Sequence, residues 1–214
     1  VRPGPDAGPD PDPPGAPLVA CALGIEARAL RGARPGRGMR PRPVLRTGMG
    51  PARAERAVGD ALAAAAHAPC GLAFAGLGAA VVPGTRPADV LVATEVRDDQ
   101  GVAARTDEGW AEATAEALRA AGLTVRHGVL RSSDHVVRGA ERARLAESGV
   151  VGVDMETAAA FRVATGLPLL AVRVVVDTPE HELVRPATLV HGPRALRALK
   201  QVGLVLATWH PQFC

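Results

Sequence analysis

An α/β fold is what the sequence predicts, and three observations predict it. Short apolar runs of Val, Leu and Ala alternate along the chain with Ala-rich stretches of helical length. The runs are nearly continuous in apolar character, as in a sheet buried on both faces. Glycine pairs, Gly48-Met49-Gly50 and Gly76-Leu77-Gly78, follow two of the runs. Such glycines let a backbone turn tightly or approach a ligand closely.

The elements follow in order. Residues 1–16 are dense in Pro, Asp and Gly, cannot bury a core, and read as a disordered leader to a domain over 17–214. Residues 18–23 form the first buried strand, and Glu26 ends it as the chain turns into a helix. Residues 31–42, rich in Arg, Gly and Pro, read as a loop. A second strand spans 43–47. The Gly48-Met49-Gly50 turn precedes Pro51, which suits the first position of a helix over 51–67. A third strand covers 71–75 and ends in Gly76-Leu77-Gly78; a fourth covers 89–96. A helix over 107–121 stops at Gly122. Then come strand 124–131, a charged helix over 139–147, strand 150–153, helix 156–165, strand 168–176 and a last helix over 193–209.

The chain has 214 residues, 47% of them hydrophobic, with three Phe, two Trp and no Tyr, so the core must be built of Ala, Val and Leu. The net charge is +3, and Lys200 is the only lysine. The denser basic run at Arg31, Arg34, Arg37, Arg40 and Arg42 reads as a solvated loop rather than a phosphate or membrane contact. Nucleic-acid binding is not expected, because stacking aromatics are missing. The three cysteines form no metal-type pair. Cys21 and Cys70 lie in apolar runs and read as small core residues, which suits a reducing cytoplasm. No apolar stretch reaches spanning length, and no signal-peptide pattern is visible.

Reactive groups are few. Neither glycine pair matches a dinucleotide fingerprint, and no Walker or G-x-S-x-G sequence occurs. Ser132 and Ser133 stand near His135, a proximity more often accidental than catalytic. His181-Glu182 lacks the second His of a zinc helix, and His67, His127, His191 and His210 read as surface or loop residues. No metal or cofactor is expected. Three carboxylates remain: Glu26 near the first strand, Glu156 opening a helix, and Asp177 ending the run Val174-Val175-Val176. An acid at a helix start more often stabilises the helix dipole than a reaction. That reading fits Glu156 and Glu26, and fits Asp177 less well. Three acids at strand ends could also converge on one pocket as acid, base and hydroxyl anchor.

Four segments carry a resemblance. Ala22-Leu23-Gly24-Ile25-Glu26 is similar to the first strand and acid of the purine nucleoside phosphorylase and nucleosidase superfamily. Phe74-Ala75-Gly76-Leu77-Gly78 resembles its glycine-rich turn, and Arg131-Ser132-Ser133-Asp134 its S-G-D segment. Val153-Asp154-Met155-Glu156 with Arg173-Val174-Val175-Val176-Asp177 resembles the paired V-E-M-E and R-x-x-S-D motifs, the more specific part of the match. The branch resembled includes methylthioadenosine/S-adenosylhomocysteine nucleosidase.

The resemblance implies a three-layer α/β/α fold with a central mixed, partly barrel-like sheet, and a homodimer. It implies that Asp177 donates a proton to purine N7, that Glu156 holds the ribose hydroxyls with Met155 against the sugar, and that Glu26 deprotonates the attacking water. Val136 and Val137 would bind the base, with Gly76, Leu77 and Met49 also in the binding site. An Asp protonated near neutral pH needs an environment such as the apolar walls of a strand end. Leu77 and Val176 stand where relatives carry Ser, and the phosphate-binding arginines of the phosphorylases are not matched. Arg46 and Arg173 are the residual candidates for an anion, and water is the expected nucleophile. The apolar replacements look most like the hopanoid-associated nucleosidases, which resemble enzymes releasing adenine from adenosylhopane to leave ribosylhopane. Such a substrate would need an apolar channel, lined by Leu77, Met49, Phe161 and residues 183–190, and at most peripheral membrane contact. The alternatives are a methylthioadenosine/S-adenosylhomocysteine nucleosidase or futalosine hydrolase, a phosphorylase, and a nucleoside-binding protein without activity.

Overall fold

A computed structural model describes residues 16–32, 43–180 and 192–208. The expected leader, most of the arginine-rich loop, and the channel segment 183–190 lie outside the described residues. The elements are β1 (Leu18–Cys21), α1 (Gly24–Arg31), β2 (Val44–Arg46), α2 (Pro51–Ala64), β3 (Leu72–Ala80), β4 (Val90–Asp98) and β5 (Gly101–Arg105). They continue with α3 (Glu108–Ala120), β6 (Val125–Ser132), α4 (Gly139–Glu147), β7 (Val150–Asp154), α5 (Thr157–Arg162), β8 (Leu169–Asp177) and α6 (Gly192–Thr208).

Five strands close a ring. β3 pairs parallel with β8, β8 antiparallel with β4, β4 parallel with β6, β6 parallel with β7, and β7 antiparallel with β3. Closure leaves no free edge within the ring. β1 and β2 extend outward from β3 in parallel, and β5 folds back on β4 as a hairpin. Inside the ring Leu91, Ala80 and Val175 meet. Gly152 faces them because a Cβ there would lie 2.3 Å from Leu91 Cδ1. On one side of the sheet, Val19 and Leu170 pack against Leu30 of α1, Trp110 and Leu118 of α3, and Leu199 and Val202 of α6. On the other, Phe74 and Ala171 pack against Val58 of α2 and Phe161 of α5. The result is the expected three-layer arrangement around a mixed, barrel-like sheet.

Four expectations change. Glu26 does not end a strand: β1 stops at Cys21, and Glu26 is the third residue of α1. Gly76-Leu77-Gly78 is not a turn: β3 runs through it to Ala80, shifting register against β8 only between Gly78 and Ala79. β5 is an additional strand that apolar runs do not reveal, since it is a short edge strand whose Val102 is exposed. Cys21 is a buried free thiol, but Cys70 is half-buried and disulfide-bonded rather than a core thiol. No helix among the described residues is long and apolar enough to cross a membrane.

Candidate active site

The first carboxylate is fixed by backbone amides. Glu26, 2% exposed, accepts a hydrogen bond from Leu23 N–H at 2.7 Å through Oε2 and from Leu77 N–H at 2.7 Å through Oε1. One side chain thus ties the start of α1 to the middle of β3. Burial pushes its pKa above the ordinary glutamate value, against the pull of the Leu77 amide, the Arg173 charge and the Leu23 amide. Gly76 does not line the site as expected. It lies behind Glu26 and leaves room for that carboxylate and for Arg173.

Arg173 is the buried centre of the second group. It is 2% exposed and lies over the Phe74 ring, 4.8 Å from the centroid. Its Nε donates to Asp154 Oδ2 at 2.8 Å, and its Nη2 donates to the same carboxylate and to Thr157 Oγ1. Asp154 Oδ1 accepts from Ser132 Oγ at 2.5 Å, and Ser132 Oγ accepts from Ala158 N–H at 2.9 Å. These bonds join the ends of β6 and β7, the start of α5 and the middle of β8. They fix the β7–α5 turn that carries Met155 and Glu156. Arg173 is therefore committed to Asp154, and neither it nor Arg46 is among the residues that line the cavity.

Glu156 is the residue immediately before α5, and its Oε1 accepts from Gly50 N–H at 2.9 Å. The Gly48-Met49-Gly50 turn thereby holds one of the three carboxylates. Burial, and then the nearby Asp154 charge, raise the Glu156 pKa. Asp177 ends β8 as expected, with Val176 and Val137 beside it on the cavity wall. A buried guanidinium stands behind it: Arg142 Nη2 donates to Asp177 Oδ2 at 2.8 Å and Nη1 to Oδ1 at 3.3 Å. Arg142 Nη2 also donates to the Val137 carbonyl at 3.3 Å.

All three carboxylates line one cavity of about 260 Å³, together with Met49, Leu77, Val136, Val137, Met155 and Val176. Phe161, expected in the channel, is instead a core residue on the buried face of α5, 2% exposed. Ser132 serves the Asp154 network and is not a nucleophile paired with His135. Ser133 Oγ lies 3.2 Å from His135 Nδ1, but that nitrogen lies 2.7 Å from Asp134 Oδ1, and Nε2 lies 3.0 Å from Glu141. His135 is exposed at the rim, where Asp134 and Glu141 raise its pKa. Among the described residues no group of three or more His, Cys, Asp or Glu could hold a metal.

Two residues of the site were not singled out from sequence. Asp154 lay inside a recognised segment without an assigned role. Arg142 sits in a charged helix of a chain rich in Arg, where nothing local marks it as buried.

A family model described as the phosphorylase superfamily matches residues 39–205. No curated protein matches the chain. The fold is shared with solved structures at low identity. The 5'-methylthioadenosine/S-adenosylhomocysteine nucleosidase of Neisseria meningitidis, in complex with methylthio-immucillin-A, superposes with TM-score 0.73 at 20% identity over 91% of this chain and 99% of that one. The Campylobacter jejuni 5'-methylthioadenosine/S-adenosyl homocysteine nucleosidase gives 0.71 at 16% identity, over 90% and 97%. The futalosine hydrolase of Helicobacter pylori gives 0.70 at 16% identity, over 90% and 95%.

Proposed function

The chain belongs to the phosphorylase superfamily, and we propose that within it this protein hydrolyses the N-glycosidic bond of a purine nucleoside. The observation that carries the reading is the convergence of Glu26, Glu156 and Asp177 on one largely apolar cavity.

Cleavage of such a bond passes through a cationic, oxocarbenium-like sugar, which carboxylates in a dry site stabilise. In the proposed reaction Glu26 takes a proton from water as the water oxygen bonds to C1'. The C1'–N9 bond breaks and its electron pair passes to the base. Asp177 gives its proton to N7 and becomes the carboxylate that faces Arg142. Glu156 accepts the ribose hydroxyls, Met155 packs on the sugar, and Val136 and Val137 receive the base. Proton exchange with solvent then returns Glu26 and Asp177 to their starting forms. Water is favoured over phosphate because Arg173 is bound to Asp154 and Arg46 lies off the cavity.

The finer reading is release of adenine from adenosylhopane to give ribosylhopane. Leu77, Val176, Met49 and Val136 in the cavity lining support an apolar group on the sugar. The structural likeness to methylthioadenosine/S-adenosylhomocysteine nucleosidases and futalosine hydrolase favours those substrates as the second reading. A homodimer belongs to the proposal, and light scattering tests it. The deciding assay is base release from adenosine, methylthioadenosine, futalosine and adenosylhopane, with and without phosphate. Adenine release from adenosylhopane without phosphate is the expected result. Efficient cleavage of methylthioadenosine with no action on adenosylhopane would reject the finer reading. Strict phosphate dependence would reject hydrolysis.

A further inference from the structure

We propose that Gly50 is a positioning residue for the sugar: its backbone amide, held in a conformation that only glycine adopts, aims the Glu156 carboxylate at the ribose hydroxyls and so favours ribose over 2'-deoxyribose. The inference rests on the reading of this cavity as a purine nucleoside site.

The contact joins two segments far apart in sequence. Gly50 N–H donates to Glu156 Oε1 at 2.9 Å, and Glu156 is 8% exposed. A bond from an amide to a carboxylate is stronger than one between neutral groups. The turn that supplies it is fastened on both sides. Before it, Thr47 N–H donates to the Cys21 carbonyl at 2.9 Å and Gly48 N–H to the Ala22 carbonyl at 3.1 Å, tying the turn to the end of β1. After it, the Gly50 carbonyl accepts from Ala54 N–H at 3.2 Å as α2 begins. The Glu156 backbone is fixed as well, since its carbonyl accepts from Ala160 N–H at 3.1 Å. With Oε1 tied to the turn, the turn also sets the direction of Oε2.

Gly50 has φ +93° and ψ 154°. Residues with a side chain do not rest there. Yet a Cβ on Gly50 would meet nothing within 4 Å. Backbone conformation, not packing, is what requires glycine at this position. Gly50→Ala forces φ to the negative side. The start of α2 is held by the Gly50 carbonyl and by Val58 in the core. The peptide free to rotate is the one that carries the Gly50 N–H, so the amide leaves Glu156. The other groups acting on Glu156 are Asp154 at the end of β7, Glu26 on α1 and Arg173 on β8, and Asp177 lines the same cavity. Burial, Asp154 and Glu26 raise its pKa, while the Gly50 amide and Arg173 lower it. The amide thus favours the ionised carboxylate, the form that accepts from two hydroxyls.

The test measures kcat and KM on adenosine and 2'-deoxyadenosine for the full chain, Gly50→Ala, Glu156→Ala and the double variant. Gly50→Ala should lower kcat/KM on adenosine by about 10- to 100-fold, the scale of one hydrogen bond to a charged group. The loss on 2'-deoxyadenosine should be smaller, so the ribo/deoxy ratio shrinks. In the double variant the two losses should not add, because both remove one contact. Thermal unfolding checks that the variants fold. Wild type supplies a readout that needs no Gly50 variant: the Gly50 amide proton resonance should move with pH as Glu156 titrates, and should lose that movement in Glu156→Ala. A stationary resonance in wild type overturns the inference, as does a ribo/deoxy ratio unchanged in a folded Gly50→Ala. Cleavage of adenosine with such an unchanged ratio leaves the hydrolase reading standing and removes this one. If no nucleoside is cleaved, the hydrolase reading fails, and calorimetric binding of adenosine and 2'-deoxyadenosine decides the same ratio.

Discussion

Gly76 has no side chain because Glu26 occupies its space: a Cβ on Gly76 would lie 2.8 Å from Glu26 Oε1, and equally 2.8 Å from Arg173 Nη1. Glu26 is held on its other sides by two backbone amides, so it has little room to yield. Gly76→Ala should therefore displace the carboxylate more than it disturbs the fold. Overpacking of this size costs about 1–3 kcal/mol, while a base shifted by about 1 Å loses on the order of 100-fold in rate. Urea unfolding and kcat/KM for base release measure the two effects. Full activity in the folded variant would mean that the position of Glu26 does not matter to the reaction.

Burial also makes stability depend on pH. Glu26 and Glu156 both have pKa values raised above 4.5. Between 4.5 and the raised values the folded chain holds protons that the unfolded chain has released. Stability is then greatest below that window and falls as pH rises through it. Glu26→Gln removes one of the two contributions. Urea midpoints from about pH 4 to about pH 8 should decline more steeply for wild type than for Glu26→Gln. Parallel profiles would show that burial does not govern the Glu26 titration.

The elements that sequence revealed are those with a local signature. β8 is buried along its whole length and reads as one apolar run, and Pro51 marks the start of α2. The ring itself is not local: β3 meets both β8 and β7, one parallel and one antiparallel, and no periodicity encodes that choice. Only the resemblance pointed to a barrel. The same division runs through the site. Asp177 was legible because an acid ending a valine run is conspicuous. Arg142 was not, because its burial comes from meeting a strand 35 residues away. The spacing of Gly76 and Gly78 suggests a turn, whereas Gly76 leaves space inside a strand for Glu26 and Arg173.

Asp154 should matter more to folding than to chemistry. Its carboxylate neutralises Arg173 and accepts from Ser132, and through Ser132 it holds the start of α5. Removing one member of a buried ion pair costs about 3–5 kcal/mol, because the other charge remains buried. Asp154→Ala should lose stability on that scale in urea unfolding. Ser132→Ala, which removes a hydroxyl while leaving the ion pair in place, should lose only about 1–3 kcal/mol. Similar losses for the two would mean that the Asp154–Arg173 pair is not the dominant element of the network.

The mouth of the cavity sets what can hang from the sugar. Met49 is 61% exposed and Val136 52%, yet both belong to the cavity lining. Large apolar side chains left in water beside a polar reaction centre gain free energy if a substrate covers them. A series of 5'-alkylthio nucleosides of increasing chain length tests this directly. Each added methylene that reaches the mouth can contribute up to about 0.8 kcal/mol, close to fourfold in kcat/KM. The wild-type series should rise with chain length. Met49→Ser should flatten it, lowering kcat/KM on the long-chain nucleosides more than on unsubstituted adenosine. A flat series in wild type would remove the main support for an apolar substituent and turn the choice toward compact nucleosides such as methylthioadenosine.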